Sequence, residues 1–114
     1  LLLLTGCGLR PDSSVQTQVY PVKFPEVLVL LDAGHGGRDP GCCYGNFQEK
    51  ELALRTTLLT QEHLLSLGYP VQLTRKDDTF VSLTERAKAA NDSEATLFVS
   101  IHYNASPHNG AAEG

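Results

Sequence analysis

The chain has 114 residues, of which 41% are hydrophobic, and its nine basic and 13 acidic side chains leave a formal charge of −4. That length suits one domain or part of one, and the composition supports a packed core rather than disorder. No basic stripe runs along the sequence, which argues against a nucleic-acid partner.

The first residues, Leu1-Leu2-Leu3-Leu4-Thr5-Gly6-Cys7, are apolar over a run far shorter than the ~20 residues that span a bilayer. They read as the end of a secretion signal. Leu4-Thr5-Gly6-Cys7 resembles the bacterial lipobox, an aliphatic residue and two small ones before a cysteine that receives lipid. The other reading is an ordinary signal peptide with an incidental Cys7. Residues 8–26 read as a polar tether, with Pro, Ser and Gln between Arg10 and Gln18 and with Pro21 and Pro25 opposing a helix. These features predict an exported protein of the periplasm or cell envelope, anchored to a membrane by lipid on Cys7.

Val27 to Leu31 is too short for a helix of ordinary length and reads as a strand buried on both faces. Asp32-Ala33-Gly34-His35-Gly36-Gly37 follows, with the glycines letting the backbone turn sharply and His35 leaving the carboxyl end of the strand. In open α/β sheets that edge binds ligands. Gly34 to Phe47 is a glycine-rich loop long enough to suggest a function. Within it Cys42 and Cys43 are adjacent. Neighbouring Cα atoms sit ~3.8 Å apart, short of ordinary disulfide geometry, so free thiols are expected.

A helix is predicted from Glu49 to Leu67, with Leu54, Leu58 and Leu65 on its apolar face, Leu52 and Leu59 widening it, and Gly68 as a left-handed stop. Val71 to Thr74 alternates as a second strand. Ser82-Leu83-Thr84-Glu85 is a capping box that opens a second helix, with Leu83, Ala87 and Ala90 as its apolar face. Leu97 to Ile101 reads as a third strand, and His102 follows at once. Strand, helix, strand, helix, strand predicts an α/β fold: a layered sheet of mostly parallel strands with helices on both faces, incomplete in this chain.

His35 and His102 each sit just past an apolar strand. If those strands are parallel neighbours, both imidazoles emerge at one sheet edge, and Glu49 at a helix start can join them. Two imidazoles and a carboxylate are the donor set of a catalytic zinc site. The plainer alternatives are hydrogen-bonded loop histidines and a glutamate favoured by the helix dipole.

Leu31-Asp32-Ala33-Gly34-His35-Gly36-Gly37-Arg38-Asp39-Pro40-Gly41 resembles the opening motif of the zinc-dependent N-acetylmuramoyl-L-alanine amidases. Gln48-Glu49-Lys50-Glu51, Leu73-Thr74-Arg75, Phe80 to Arg86 and Phe98 to Ala105 continue the likeness in order, so that it covers Val27 to Gly114. The resemblance implies that residues 27–114 are the front part of the catalytic domain and that His35, Glu49 and His102 hold Zn2+. It also implies that a zinc-activated water cleaves the amide between N-acetylmuramic acid and L-alanine of peptidoglycan. The family's catalytic glutamate lies on a later strand and is expected beyond Gly114; Glu113 does not match its position.

His63, within the first predicted helix, reads as a surface or boundary residue, and His108 as a weak candidate for substrate contact. Arg75 and Arg86 read as structural ion-pair partners. The glycine loop lacks the spacing of a phosphate-binding loop, and Cys42-Cys43 lacks Cys-x-x-Cys spacing. The reading is therefore a peptidoglycan amidase of cell-wall remodelling or cell separation. The alternatives are an amidase-like domain that binds zinc or peptidoglycan without turnover, and a nucleotide-binding α/β domain. Stem-peptide specificity, any activator protein and the choice of membrane are not legible.

Overall fold

The computed structural model of the chain describes residues 19–104. Cys7, His108 and Glu113, with the expectations attached to them, lie outside the described residues. In chain order the elements are β1 (Val29–Ala33), β2 (Cys43–Tyr44), β3 (Phe47–Gln48), α1 (Glu49–Leu67), β4 (Val71–Leu73), α2 (Leu83–Asp92) and β5 (Leu97–Ile101).

β1 is buried at every position and lies between β4 and β5, parallel to both. Val29 pairs with Val71 and with Leu97, and Ala33 pairs with Ile101. Apolar side chains on both faces suit a central parallel strand. β1 starts two residues later than the apolar run suggests. The Val27 N–H turns back to the Phe24 carbonyl. Sheet-side bonding begins at the Leu28 carbonyl, which accepts the Thr96 and Leu97 N–H groups, and at the Val29 N–H, which reaches the Pro70 carbonyl. β1 also runs on through Asp32, because that carboxylate is satisfied inside the fold. It accepts hydrogen bonds from Thr74 Oγ1 at 2.6 Å, Ser100 Oγ at 2.7 Å and the Arg86 guanidinium. One buried side chain thus ties β1 to the residue after β4, to β5 and to α2.

α1 spans the predicted residues, and its end follows from Gly68 at φ 97°, where the Gly68 and Tyr69 N–H groups close onto the Leu65 and Leu64 carbonyls. Its buried face differs from the leucine stripe. Glu49, Ala53 and Thr57 are buried, whereas Leu52, Leu58 and Leu59 are exposed. Residues four apart share a helix face. Small side chains at 53 and 57 let the helix axis approach the sheet, and Thr57 keeps its hydroxyl satisfied on the Ala53 carbonyl at 2.8 Å.

α2 opens on the predicted capping box. Ser82 Oγ accepts the Glu85 N–H, and the Glu85 carboxylate accepts the Ser82 N–H. It docks through Arg86 rather than through Leu83, which is 85% exposed. An ion pair to β1 outranks a three-residue apolar stripe here. β5 has the predicted bounds, but Leu97 and Phe98 are exposed, unlike the fully buried β1.

The connections β1–α1–β4 and β4–α2–β5 step across the sheet in opposite senses. Right-handed crossovers then put the two helices on opposite faces. The short antiparallel hairpin of β2 and β3 was not anticipated, although Gly45-Asn46 between its strands is a two-residue hairpin signal. Before β1, the Lys23 and Phe24 N–H groups bond the Gly68 carbonyl, and Phe24 stacks on Tyr69. No helix among the described residues is long and apolar enough to cross a membrane.

Candidate metal centre

Parallel pairing of Ala33 with Ile101, followed by a Gly34 N–H bond to the Ile101 carbonyl at 3.0 Å, delivers His35 and His102 to the same sheet edge. The buried face of α1 aims Glu49 at that edge. Its first two N–H groups close onto the glycine loop: Glu49 on the Cys42 carbonyl and Lys50 on the Pro40 carbonyl. The loop therefore caps the helix, a task no side chain performs at Gln48.

The three side chains converge. His35 Nε2 and His102 Nδ1 stand 3.1 and 3.0 Å from Glu49 Oε1, and one donor atom from each residue lies within 4.8 Å of the others. The imidazoles meet edge to face, with centroids 4.9 Å apart. Glu49 is 3% exposed. Burial by itself pushes its carboxyl up. The Cys42 N–H on Oε2, the Tyr103 N–H on Oε1 and the His102 ring outweigh that and hold it at about 2. The group is therefore an anion at neutral pH. Two nitrogens from the ends of two strands and one fixed carboxylate oxygen from a helix start fit the donor set of a zinc site.

His35 occupies the left-handed region at φ 59°, which is uncommon for a non-glycine residue. Two buried arginines hold that backbone. Arg75 donates to the Ala33 and Gly34 carbonyls at 2.9 and 2.7 Å, and Arg86 to the Ala33 and His35 carbonyls, each at 2.7 Å. Arg86 also makes the ion pair with Asp32, whereas Arg75 bonds backbone carbonyls, including those of Lys50 and Asp77. Asp39 joins from the side of the ring, 2.8 Å from His35 Nδ1. The His35 ring first, and then the Gly41 N–H, hold the Asp39 carboxyl below the usual carboxylate range.

Glycine has two different uses around the site. Gly36 and Gly37 carry positive φ and make the turn. Gly34 is there for space, since a Cβ on it would stand 2.5 Å from His102 Cε1. A Cβ on Gly41 would meet His35 Cδ2 at 2.5 Å and Glu49 Oε2 at 2.7 Å. A cleft of about 510 Å³ opens beside the two imidazoles, running past Asp39, Phe80 and Leu83 to Phe98.

His63 is exposed on α1 and takes no part in the cluster. Cys42 and Cys43 are exposed free thiols, as their adjacency predicts. What the sequence reading missed is mostly backbone. The N–H groups of Cys42 and Tyr103 leave no residue-type signal. Asp39 offers a faint one, a carboxylate four residues after a candidate histidine.

Comparisons with known proteins agree with this architecture. The family model described as N-acetylmuramoyl-L-alanine amidase, Amidase_3, matches residues 29–114. An endolysin of Bacillus phage SPP1 is 44% identical over 81 residues, covering 70% of this chain and 30% of the phage protein. The amidase CwlM of Bacillus licheniformis is also 44% identical over 81 residues, covering 69% and 32%. The chain thus spans about a third of the length of these relatives. The catalytic domain of CwlV from Bacillus (Paenibacillus) polymyxa var. colistinus superposes with a TM-score of 0.69 at 39% identity, over 72% of this chain and 48% of that one. CwlD of Clostridioides difficile, solved in complex with the GerS lipoprotein, gives 0.69 at 35% identity, over 72% and 50%. A family model that matches residues 29–114, together with a fold that superposes on solved amidase domains, means that this chain belongs to the N-acetylmuramoyl-L-alanine amidase family.

Proposed function

We propose that the protein holds one Zn2+ through His35, Glu49 and His102 and hydrolyses the amide between N-acetylmuramic acid and L-alanine in peptidoglycan, as part of cell-wall remodelling or cell separation. The observation that carries this is the convergence of three donor atoms around a buried, ionised Glu49. When bound, zinc supplies Lewis acidity and lowers the pKa of its water to ~7. The described residues supply the charge and the positioning around it. Glu49 contributes a fixed negative charge, kept in place by the Cys42 and Tyr103 N–H groups. Arg75 and Arg86 hold the backbone of residues 33–35 so that the His35 ring stays at the edge. The open cleft lets a polymeric substrate approach the imidazoles from solvent.

The test is release of free stem peptide from purified muropeptides by protein expressed from its whole reading frame. Turnover is expected to stop on chelation and to return with added zinc. Zinc binding and peptidoglycan binding without any release would favour the non-catalytic reading. ATP or GTP affinity that survives chelation would favour a nucleotide-binding domain.

The same proposal places the protein in the cell envelope. Leu4-Thr5-Gly6-Cys7 supports cleavage before Cys7 and lipid on its sulfur and new amino terminus. Several acyl chains anchor stably where one binds only marginally. Mass spectrometry of the native amino terminus is expected to find a lipid-bearing Cys7 as residue one. A mature chain that starts elsewhere, or an unmodified Cys7, rules the anchor out.

A further inference from the structure

Asp39 sits in the turn that follows His35, and its two oxygens do different things. Oδ1 accepts the Gly41 N–H at 3.1 Å, a bond internal to the turn. Oδ2 faces His35 Nδ1 at 2.8 Å. The turn does not need that second contact. It is already closed by the paired backbone bonds of Gly36 and Asp39, at 2.9 and 3.1 Å, and tied to the rest of the fold where Asp78 accepts the Gly37 N–H and pairs with Lys50.

We propose that Asp39 is a positioning residue for the metal centre: its Oδ2 takes the Nδ1–H of His35, which fixes the ring plane and leaves the lone pair on Nε2, the atom facing Glu49. This rests on the metal reading given above. A histidine in the left-handed region has its backbone set by Arg75 and Arg86, whose bonds here go to carbonyls and not to the ring nitrogens. Ring rotation is restrained instead by Asp39 on one side and Glu49 on the other. A carboxylate on the far nitrogen of a ligating imidazole fixes its tautomer and raises its basicity, and losing such a partner typically weakens metal binding ~10–100-fold.

The experiment measures zinc affinity by chelator competition and records the visible spectrum of the cobalt-substituted protein. The proteins compared are the wild type, Asp39→Ala, Asp39→Asn and Asp78→Asn. Asp78→Asn is the control, since it removes the charge that pairs with Lys50 beside the same turn without touching the ring. Asp39→Ala is expected to bind zinc ~10–100-fold more weakly and to shift the cobalt bands. Asp39→Asn, which can still accept the Nδ1–H without the charge, is expected to fall between, and it serves as the deciding variant if Asp39→Ala does not fold. Asp78→Asn should match the wild type in both measurements. Wild-type affinity and spectrum in the Asp39 variants overturn the inference, as does an equal loss in Asp78→Asn. A wild type that binds no zinc overturns the metal reading and this inference with it, a result distinct from either of those.

Discussion

A His35→Ala, His102→Ala double variant is expected to leave purification nearly free of zinc, while the wild type carries about one equivalent. Loss of an outer hydrogen-bond partner alone costs ~10–100-fold in affinity. Removal of two of three donors must exceed that, because Glu49 alone has no nitrogen donors beside it. The fold should survive, since both histidines lie past the ends of their strands and neither contributes to the core around Leu30, Leu31 and Ala53. A subtler variant separates geometry from chemistry. Gly34→Ala keeps all three donors but drives a methyl to 2.5 Å from His102 Cε1, so the ring must move. It should lose affinity while circular dichroism stays that of the wild type. Full zinc retention by the double variant would remove His35 and His102 from the site.

Arg86→Met is expected to destabilise the protein by ~3–5 kcal/mol, the usual cost of stranding a buried charge. Asp32 is 2% exposed, and its remaining partners would be the Thr74 and Ser100 hydroxyls. The Ala33 carbonyl would keep only its bond from Arg75, and the His35 carbonyl would lose the bond from Arg86. A domain of this size typically loses ~4–8 °C in Tm per kcal/mol, so the transition should fall by well over ten degrees. Adding Asp32→Asn removes the stranded charge and should recover part of the loss. That recovery is what marks the pair as a pair, since neighbours in one network are not additive. A fall in stability under ~1 kcal/mol for Arg86→Met would mean that the carboxylate finds compensation elsewhere, because losses of that size are typical of surface sites.

Some of this molecule could be read from the chain because the physics is local. A helix start depends on residues within one turn, so Ser82 and Glu85 announce α2 without any knowledge of the fold. Gly68 announces the end of α1 in the same way, since only its neighbours decide whether a left-handed residue is wanted. An unbroken apolar run is enough to say that β1 is buried on both faces. The extension of its carboxyl end from Leu31 to Ala33 turned on distant partners of Asp32, which no local pattern encodes.

The candidate centre divides along the same line. Its residue types, and their places past strand ends and at a helix start, are sequence properties, and they determine which metal chemistry is conceivable. Whether the donors meet depends on strand order and register, which the pairing of Ala33 with Ile101 decides. The face of α1 was also a tertiary decision. Close approach to the sheet favoured Ala53 and Thr57 over a longer leucine stripe, and that choice carries Glu49 to the edge. The N–H groups of Cys42 and Tyr103, the arginine clamps on residues 33–35 and the room that Gly34 leaves for His102 belong wholly to the tertiary structure. They involve backbone atoms or empty space, and every residue type has the same backbone, so only the folded chain can show which of those groups face the site.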